Sequence, residues 1–461
     1  MWARLSVVSD VGRVKCESGI PNGVTSTLRR AGGFAVVGTL ALAAPSLGMA
    51  AFAPFAAVAL LAAFVIDDGP LFELFARPGD REDGRLNGLA GFALAATVLA
   101  LLATVPRVRM PLPIFAAAVL ILAYGNLGAR LVDSTTDEEF LRSAGFVVAA
   151  ILAGTVGQIA IVSLTGPLRQ LPFAQFTLLA ALGGLVAALL RTALYERDDP
   201  LVMLSVGLSL WGVDTLAGSV SPTQTVISFA FTVAIGYAAY ALGTASVAGV
   251  ITGVLLLLLT IVFGGFGWAV VLVSFFGVGA LATKFKYDSK AERGVAEGND
   301  GARGTGNVLG NAAVALVAVV GYAATQTVGH AFGTDLFMLA FAGSVAAAMS
   351  DTLSSEIGGL FDNPRLITSF KTVPPGTDGA VTWQGEVAGV GGAALIAAVA
   401  AFFLPFPTAG AIAVLAGGVI GMTVDSLLGA TVEGAGLGNQ AVNFLATLAG
   451  ALGAMAVWIP L

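Results

Sequence analysis

Apolar residues dominate the chain in long runs, separated by short polar stretches. Stretches of about 18 apolar residues are the length of a membrane-crossing helix. Such runs can be laid out at 32–48, 49–66, 86–105, 111–129, 144–165, 171–190, 201–219, 225–243, 246–263, 266–283, 307–330, 335–350, 387–405, 408–428 and 441–460. The pattern predicts an all-α fold, a polytopic transmembrane helical bundle of about 13–15 spans. Several runs are short and rich in Gly and Ala, a composition that suits close helix packing.

Composition sharpens this picture. The 461 residues are 57% hydrophobic and 11% charged, with mean hydropathy +0.91. A soluble chain carries about 25% charge, so a large soluble enzyme is excluded. Net charge is −6, and only Lys15, Lys284, Lys286, Lys290 and Lys371 among the 22 basic residues are lysines. Acidic loops with little lysine suggest a salt-adapted, archaeal host, although a GC-rich genome gives the same skew. No nucleic-acid partner is expected. Cys16 is the single cysteine and His330 the single histidine. Intrachain disulfides, Cys- or His-clustered metal sites and a Ser-His-Asp triad are therefore excluded. Residues 1–30 are mixed and polar, lack a short apolar core followed by a small-residue cleavage site, and read as a disordered cytoplasmic tail.

Charge also orients the layout. With the N-terminus in the cytoplasm of a multi-pass cell-membrane protein, only Arg107, Arg109 and Arg169 of the 22 basic residues fall outside, as the positive-inside rule requires. Three polar segments of the C-terminal half then share the cytoplasmic face: 284–306, 351–386 and 429–440. The N-terminal spans, 31–200, carry their charges in connecting loops such as 67–85 and 133–143. These read as solvated loops without chemistry, and the role of that region is unknown. The region 201–461 is the expected catalytic domain.

The polar segments hold the candidate chemistry. Asp351 lies where the run "LFMLAFAGSVAAAMS" ends, and an acid in a membrane helix is a functional candidate by default. Ser355 shares its face. Glu356 lies about 140° around a regular helix and would join Asp351 only if the helix loosens near Gly358-Gly359. Asp425 repeats the situation in "GMTVDSLLGAT". An Asp-[Ser/Thr]-Leu triplet starts at Asp214, Asp351 and Asp425; Asp214 falls toward the outside, leaving Asp351 and Asp425 as a candidate metal pair. Mg²⁺ commonly takes one or two carboxylates plus phosphate oxygens and water. The stretch "KTVPPGTDG" offers Lys371 and the turn Gly376, Thr377, Asp378, Gly379, which can expose backbone N–H groups to phosphate; such a turn is more often only a turn. Lys284, Lys290 and Arg303 either hold their loop in the cytoplasm or meet phosphates. Asn307 and Asn311, like Asn439 and Asn443, sit four apart on one helix face and are expected to point into the protein.

The strings "FFGVGALATKFKYDSKAERGVAEGNDGARGTGNVLGNAA", "MSDTLSSEIGGL", "ITSFKTVPPGTDGAVTWQGEVAGVGGA" and "GMTVDSLLGATVEG" resemble, in order, domain-of-unknown-function family 92. This family of integral membrane proteins includes transmembrane protein 19 and the phytyl-phosphate kinase of plants and cyanobacteria. The resemblance covers roughly 205–455. It implies phosphorylation of an isoprenyl monophosphate to the diphosphate, with a nucleoside triphosphate, ATP or CTP, as donor. On that reading Mg²⁺ sits on Asp351 and Asp425. Arg303, Lys371 and the 376–379 turn neutralise developing charge, and Glu356 joins the catalytic set. Phosphoryl transfer needs mainly positioning and electrostatics, so the lack of further His or Cys is no obstacle. The alternatives are a CTP-dependent lipid cytidylyltransferase, which needs similar groups, and a transporter of a small or lipid-like solute, whose polar groups should instead gather near mid-membrane.

Overall fold

The computed structural model describes residues 22–166, 172–194, 198–218, 220–328, 333–433 and 436–459. The N-terminal half holds α1 (Asn22–Gly38), α2 (Ala44–Leu47), α3 (Ala53–Phe64), α4 (Gly69–Phe75), α5 (Pro78–Asp83), α6 (Asn87–Thr104), α7 (Leu112–Asp133), α8 (Glu139–Thr165), α9 (Phe173–Ala193) and α10 (Asp199–Leu216). The C-terminal half follows with α11 (Pro222–Ala241), α12 (Val247–Gly264), α13 (Phe266–Lys284), α14 (Tyr287–Glu292), α15 (Thr305–Val328), α16 (Thr334–Gly358), α17 (Trp383–Phe403), α18 (Thr408–Gly429) and α19 (Asn439–Trp458). Thirteen described helices are long and apolar enough to cross a membrane, or up to 14 if the bent α3–α4 pair is one span. The expected polytopic helical bundle is what forms.

Three details correct the layout. The run at 49–66 is α-helical only over Ala53–Phe64 (α3), and α4 leaves at 102° after the break at 65–68. Helix α1 already begins at Asn22, inside the stretch read as tail; residues 1–21 lie outside the described set. Helix α16 continues unbroken to Gly358, so Asp351 stands about two turns inside a helix rather than past its end. His330 and Arg169 lie outside the described residues.

Two apolar cores meet along α12. Ile251, Leu255 and Leu258 of α12 belong to the core of the N-terminal helices, while Leu256 belongs to that of α13 and α15–α19. In the second core, α16 is the central rod, packed on α13, α15, α17, α18 and α19. Small residues permit that crowding. A Cβ on Gly421 would lie 2.3 Å from Ala347 Cβ, and one on Gly417 2.5 Å from Gly450 O. Backbones this close gain dispersion contacts and carbonyl approaches that lipid cannot match. Ser350 adds a polar tie from α16 to α17, its hydroxyl donating to Gly389 O at 2.8 Å.

Candidate active site

At one end of this bundle, two helices finish and three begin around a cavity of about 440 Å³. Helices α16 and α18 bring Asp351 and Asp425 in their last two turns. Helices α15, α17 and α19 start there, contributing Asn307, Thr382 and Asn439 to the wall. Helix C-termini carry partial negative charge and N-termini partial positive charge. The acids therefore stand where a cation is favoured, and the asparagines where an anion is favoured.

Asp351 and Asp425 face each other within hydrogen-bonding reach. Two ionised carboxylates in contact repel, so the pair requires either a shared proton or a cation. Oδ1 of Asp425 is buried with no hydrogen-bond partner. Among the described residues, no group of three or more His, Cys, Asp or Glu side chains gathers to hold a metal. The available donor set is this pair, the number of carboxylates that suits Mg²⁺ completed by phosphate and water. Asp214, the third triplet acid, is remote: it lies on α10 and accepts a bond from Gln175 Nε2 at 2.9 Å.

Arg303 is the cation of the cavity. Its backbone is pinned beside the start of α12: its N–H donates to Thr244 O at 3.0 Å, and its carbonyl accepts from Ser246 N at 3.1 Å. Gly249 makes room, since a Cβ there would lie 2.2 Å from Arg303 O. The guanidinium rests over the Phe275 ring at 5.5 Å and against Gly279. Burial pulls its pKa below the usual guanidinium value, while Glu356, Glu297 and Asp351 favour its charged form. Nη1 is buried without a hydrogen-bond partner. Such an orphan donor costs about 1–3 kcal/mol or more, a cost that an oxyanion in the cavity would remove.

The loop between α16 and α17 closes the cavity. A two-residue ladder, Arg365–Leu366 with Ala380–Val381, folds it back as a hairpin. Gly376 and Gly379 adopt left-handed φ of 79° and 71°. Gly379 also abuts α18, where a Cβ would lie 2.3 Å from Ala430 N, so the turn is keyed to the helix that carries Asp425. Thr377 points its N–H and its hydroxyl at Pro374 O, at 3.3 and 2.7 Å, which removes these two donors from any phosphate cradle.

Arg303, Asn307, Asn311, Asp351, Glu356, Gly376, Thr377, Asp378, Gly379, Asp425, Asn439 and Asn443 all line the one cavity. Three predicted lysines do not. Lys371 is exposed on the hairpin, and Lys284 donates outward to Asp300 O at 2.6 Å. Lys290 is fully buried, its ammonium donating to Ala282 O, Thr283 O and Glu356 Oε2 at 3.0, 2.7 and 2.5 Å. It fastens α14 to the end of α13 and engages Glu356. Helix α16 stays regular, so Glu356 joins the wall through this ion pair instead of through the loosening envisaged at Gly358.

Sequence reasoning passed over Glu297 and Glu433, which also line the cavity. Burial raises the Glu433 pKa, and Asp378 and Asp425 push it the same way. No motif in the sequence marks either residue.

Residues 230–451 match the family described as integral membrane protein DUF92. An uncharacterized membrane protein of Methanocaldococcus jannaschii is 36% identical over 211 residues, 44% of this chain and 82% of that protein. An uncharacterized membrane protein of Synechocystis is 32% identical over 202 residues, 41% of this chain and 74% of its own length. The chloroplastic protein VTE6 of Arabidopsis thaliana is 35% identical over 173 residues, 37% of this chain; the match spans about half (51%) of the plant protein. No solved structure matches. The matched region begins on α11 and takes in every cavity-lining element, and on these similarities the chain belongs to the DUF92 family of integral membrane proteins.

Proposed function

We propose that this protein is a membrane-embedded phosphotransferase that passes a phosphoryl group from a nucleoside triphosphate to an isoprenoid monophosphate. The observation that carries the reading is one cavity containing an unpartnered arginine donor, Arg303 Nη1, and a facing acid pair with an unpartnered oxygen, Asp425 Oδ1. A bound phosphate and a divalent cation would satisfy both at once. The family resemblance supplies the substrate class.

Mg²⁺, held by Asp351 and Asp425, would neutralise phosphate charge. Arg303 would hold a non-bridging phosphate oxygen through its free N–H. The starts of α15 and α19, with Asn307, Asn311, Asn439 and Asn443, would orient a second phosphate. In the transfer, a terminal oxygen of the lipid monophosphate bonds to the γ-phosphorus as the bond to the β-phosphate oxygen breaks. The products are the isoprenoid diphosphate and a nucleoside diphosphate. A phosphate monoester dianion is already a nucleophile, so no histidine base is required. The protein's part is positioning and charge stabilisation. The cavity opens at a bundle end, where lipid headgroups and cytoplasmic nucleotide meet, with that end placed in the cytoplasm.

Purified protein is incubated with Mg²⁺, γ-labelled ATP or CTP and geranylgeranyl or phytyl monophosphate, and the lipids are resolved. Label in a prenyl diphosphate is the expected result. Transfer of the cytidylyl moiety from α-labelled CTP would make the enzyme a cytidylyltransferase, and no incorporation from any donor would overturn the reading.

A further inference from the structure

The cavity that holds Arg303 is lined unevenly. The helices give it only polar residues and Gly358: Asn307 and Asn311 from α15, Asp351 to Glu356 on α16, Asp425 and Ser426 on α18, and Asn439 and Asn443 from α19. Every lining residue that is apolar and larger than alanine comes instead from the segments after α14 and after α16, namely Val295, Phe361, Pro364, Pro375 and Val381. These segments lie beyond the helix ends. The cavity therefore has a polar floor toward the membrane spans and an apolar rim on the water side.

The rim is held rigidly. Phe361 N–H donates to Gly358 O at 3.0 Å, continuing the last turn of α16, and its carbonyl accepts from Arg293 Nη2 at 2.8 Å. Arg293 Nε also donates to Gly359 O at 3.0 Å, and its Nη1 pairs with Asp362 at 2.9 Å. Val295 fits between the two segments: a Cβ on Gly359 or on Gly376 would lie 3.2 or 3.5 Å from its side chain. Phe361 nevertheless stays 38% exposed. A lone exposed phenylalanine is ordinary on a protein surface. Here the backbone is fastened on both sides and the residue lines a cavity, so the cost of ordering an aromatic contact is already met.

A nucleotide presents the same two chemistries in the same order. Its phosphates suit the polar floor, and its base offers a flat face to the rim from the side on which nucleotide arrives. An isoprenoid tail has the opposite requirement, since it must leave toward the bilayer. We propose that Phe361, flanked by Val295, Pro364 and Pro375, is the platform on which the base of the nucleoside triphosphate stacks while its phosphates reach Arg303 and the asparagines. This inference rests on the phosphotransfer reading above and divides its cavity into a base subsite and a phosphate subsite. Stacking on an aromatic side chain tolerates different bases and is worth about tenfold or more in affinity.

Calorimetric titration of the full-length protein in nanodiscs tests it. The probes are the β,γ-methylene analogues of ATP and CTP, inorganic tripolyphosphate, and geranylgeranyl monophosphate, each with Mg²⁺. Wild type is expected to bind at least one nucleotide analogue about tenfold more tightly than tripolyphosphate. Phe361→Ala should remove that advantage and leave tripolyphosphate binding unchanged, whereas Phe361→Trp should keep it. An unchanged nucleotide affinity in Phe361→Ala overturns the platform, as does an equal loss for tripolyphosphate, which would make Phe361 merely structural. Weakened binding of the lipid monophosphate alone would place the isoprenoid at the rim and also overturn it. Should Phe361→Ala fail to fold, Phe361→Leu keeps an apolar side chain without the ring, and an undiminished nucleotide affinity there overturns the proposal equally. Wild type that binds tripolyphosphate as tightly as both nucleotides refutes the platform but leaves the phosphate site standing. Wild type that binds neither refutes the phosphotransfer reading and the platform with it.

Discussion

Asp351 and Asp425 gain from each other only when a cation or proton lies between them, since bare carboxylates in contact repel. Asp351→Asn and Asp425→Asn should therefore preserve the unfolding midpoint or raise it. Charge stabilisation by a bound metal is worth several kcal/mol, so phosphoryl transfer should fall about a hundredfold or more. Asp214→Asn keeps an oxygen that can accept from Gln175 and should leave turnover nearly intact. Equal turnover in all three variants, measured with labelled nucleotide, would remove the acid pair from the chemistry. Lys290 provides a contrasting case. It is buried and engages Glu356, and breaking a buried pair costs about 3–5 kcal/mol. Lys290→Met should destabilise by that order, and Lys290→Met with Glu356→Leu should recover much of it. Loss of activity in Lys290→Met without a change in unfolding would argue instead for a direct phosphate contact.

At the level of elements, the acid pair exists because α16 and α18 approach through glycine. Gly421 lies four residues before Asp425 on α18, against Ala347, four residues before Asp351 on α16. Gly421→Ala would place a Cβ 2.3 Å from Ala347 Cβ. The helices must then separate, at an overpacking cost of about 1–3 kcal/mol, and the two acids move apart with them. Gly421→Ala should lower both the unfolding midpoint and the transfer rate, whereas the same change at Gly391, which meets nothing within 4 Å, should alter neither. If activity follows neither substitution, the apposition of α16 and α18 does not set the site. The hairpin after α16 was recognisable as a turn from Pro-Pro-Gly. Its keying to α18 through Gly379 was not, because that contact joins segments about fifty residues apart.

For the whole molecule, the segments 284–306 and 351–386 and the ends of 429–440 supply walls of one cavity, so they share one end of the bundle. Only the side of the membrane on which that end lies rests on the positive-inside argument. In a Cys16→Ser background, single cysteines at the exposed Ser289, Ser369 and Thr431 should react with an impermeant thiol reagent in inverted vesicles and stay unlabelled in intact cells. Labelling of all three from outside would turn the bundle over while leaving the cavity together. A mixed pattern would break the site itself.

Hydropathy, charge and motif order determined that the chain is a helical membrane bundle, while it is the structure that brings twelve of the candidate site residues to one cavity. These properties are local: a span is set by its own apolar length, and an acid inside one is costly wherever it lies. The sequence could not decide which charges face the cavity and which face one another. Lys290 and Arg303 look alike as loop cations, yet Lys290 turns into helix-end carbonyls and Glu356, whereas Arg303 is held by Thr244, Ser246 and Phe275 with one donor unpartnered. Likewise, the arginines at 30, 77, 130 and 191 become a cluster only when α1, the segment before α5 and the ends of α7 and α9 converge. Side-chain direction and long-range convergence depend on packing between distant segments, and tertiary structure alone supplies that.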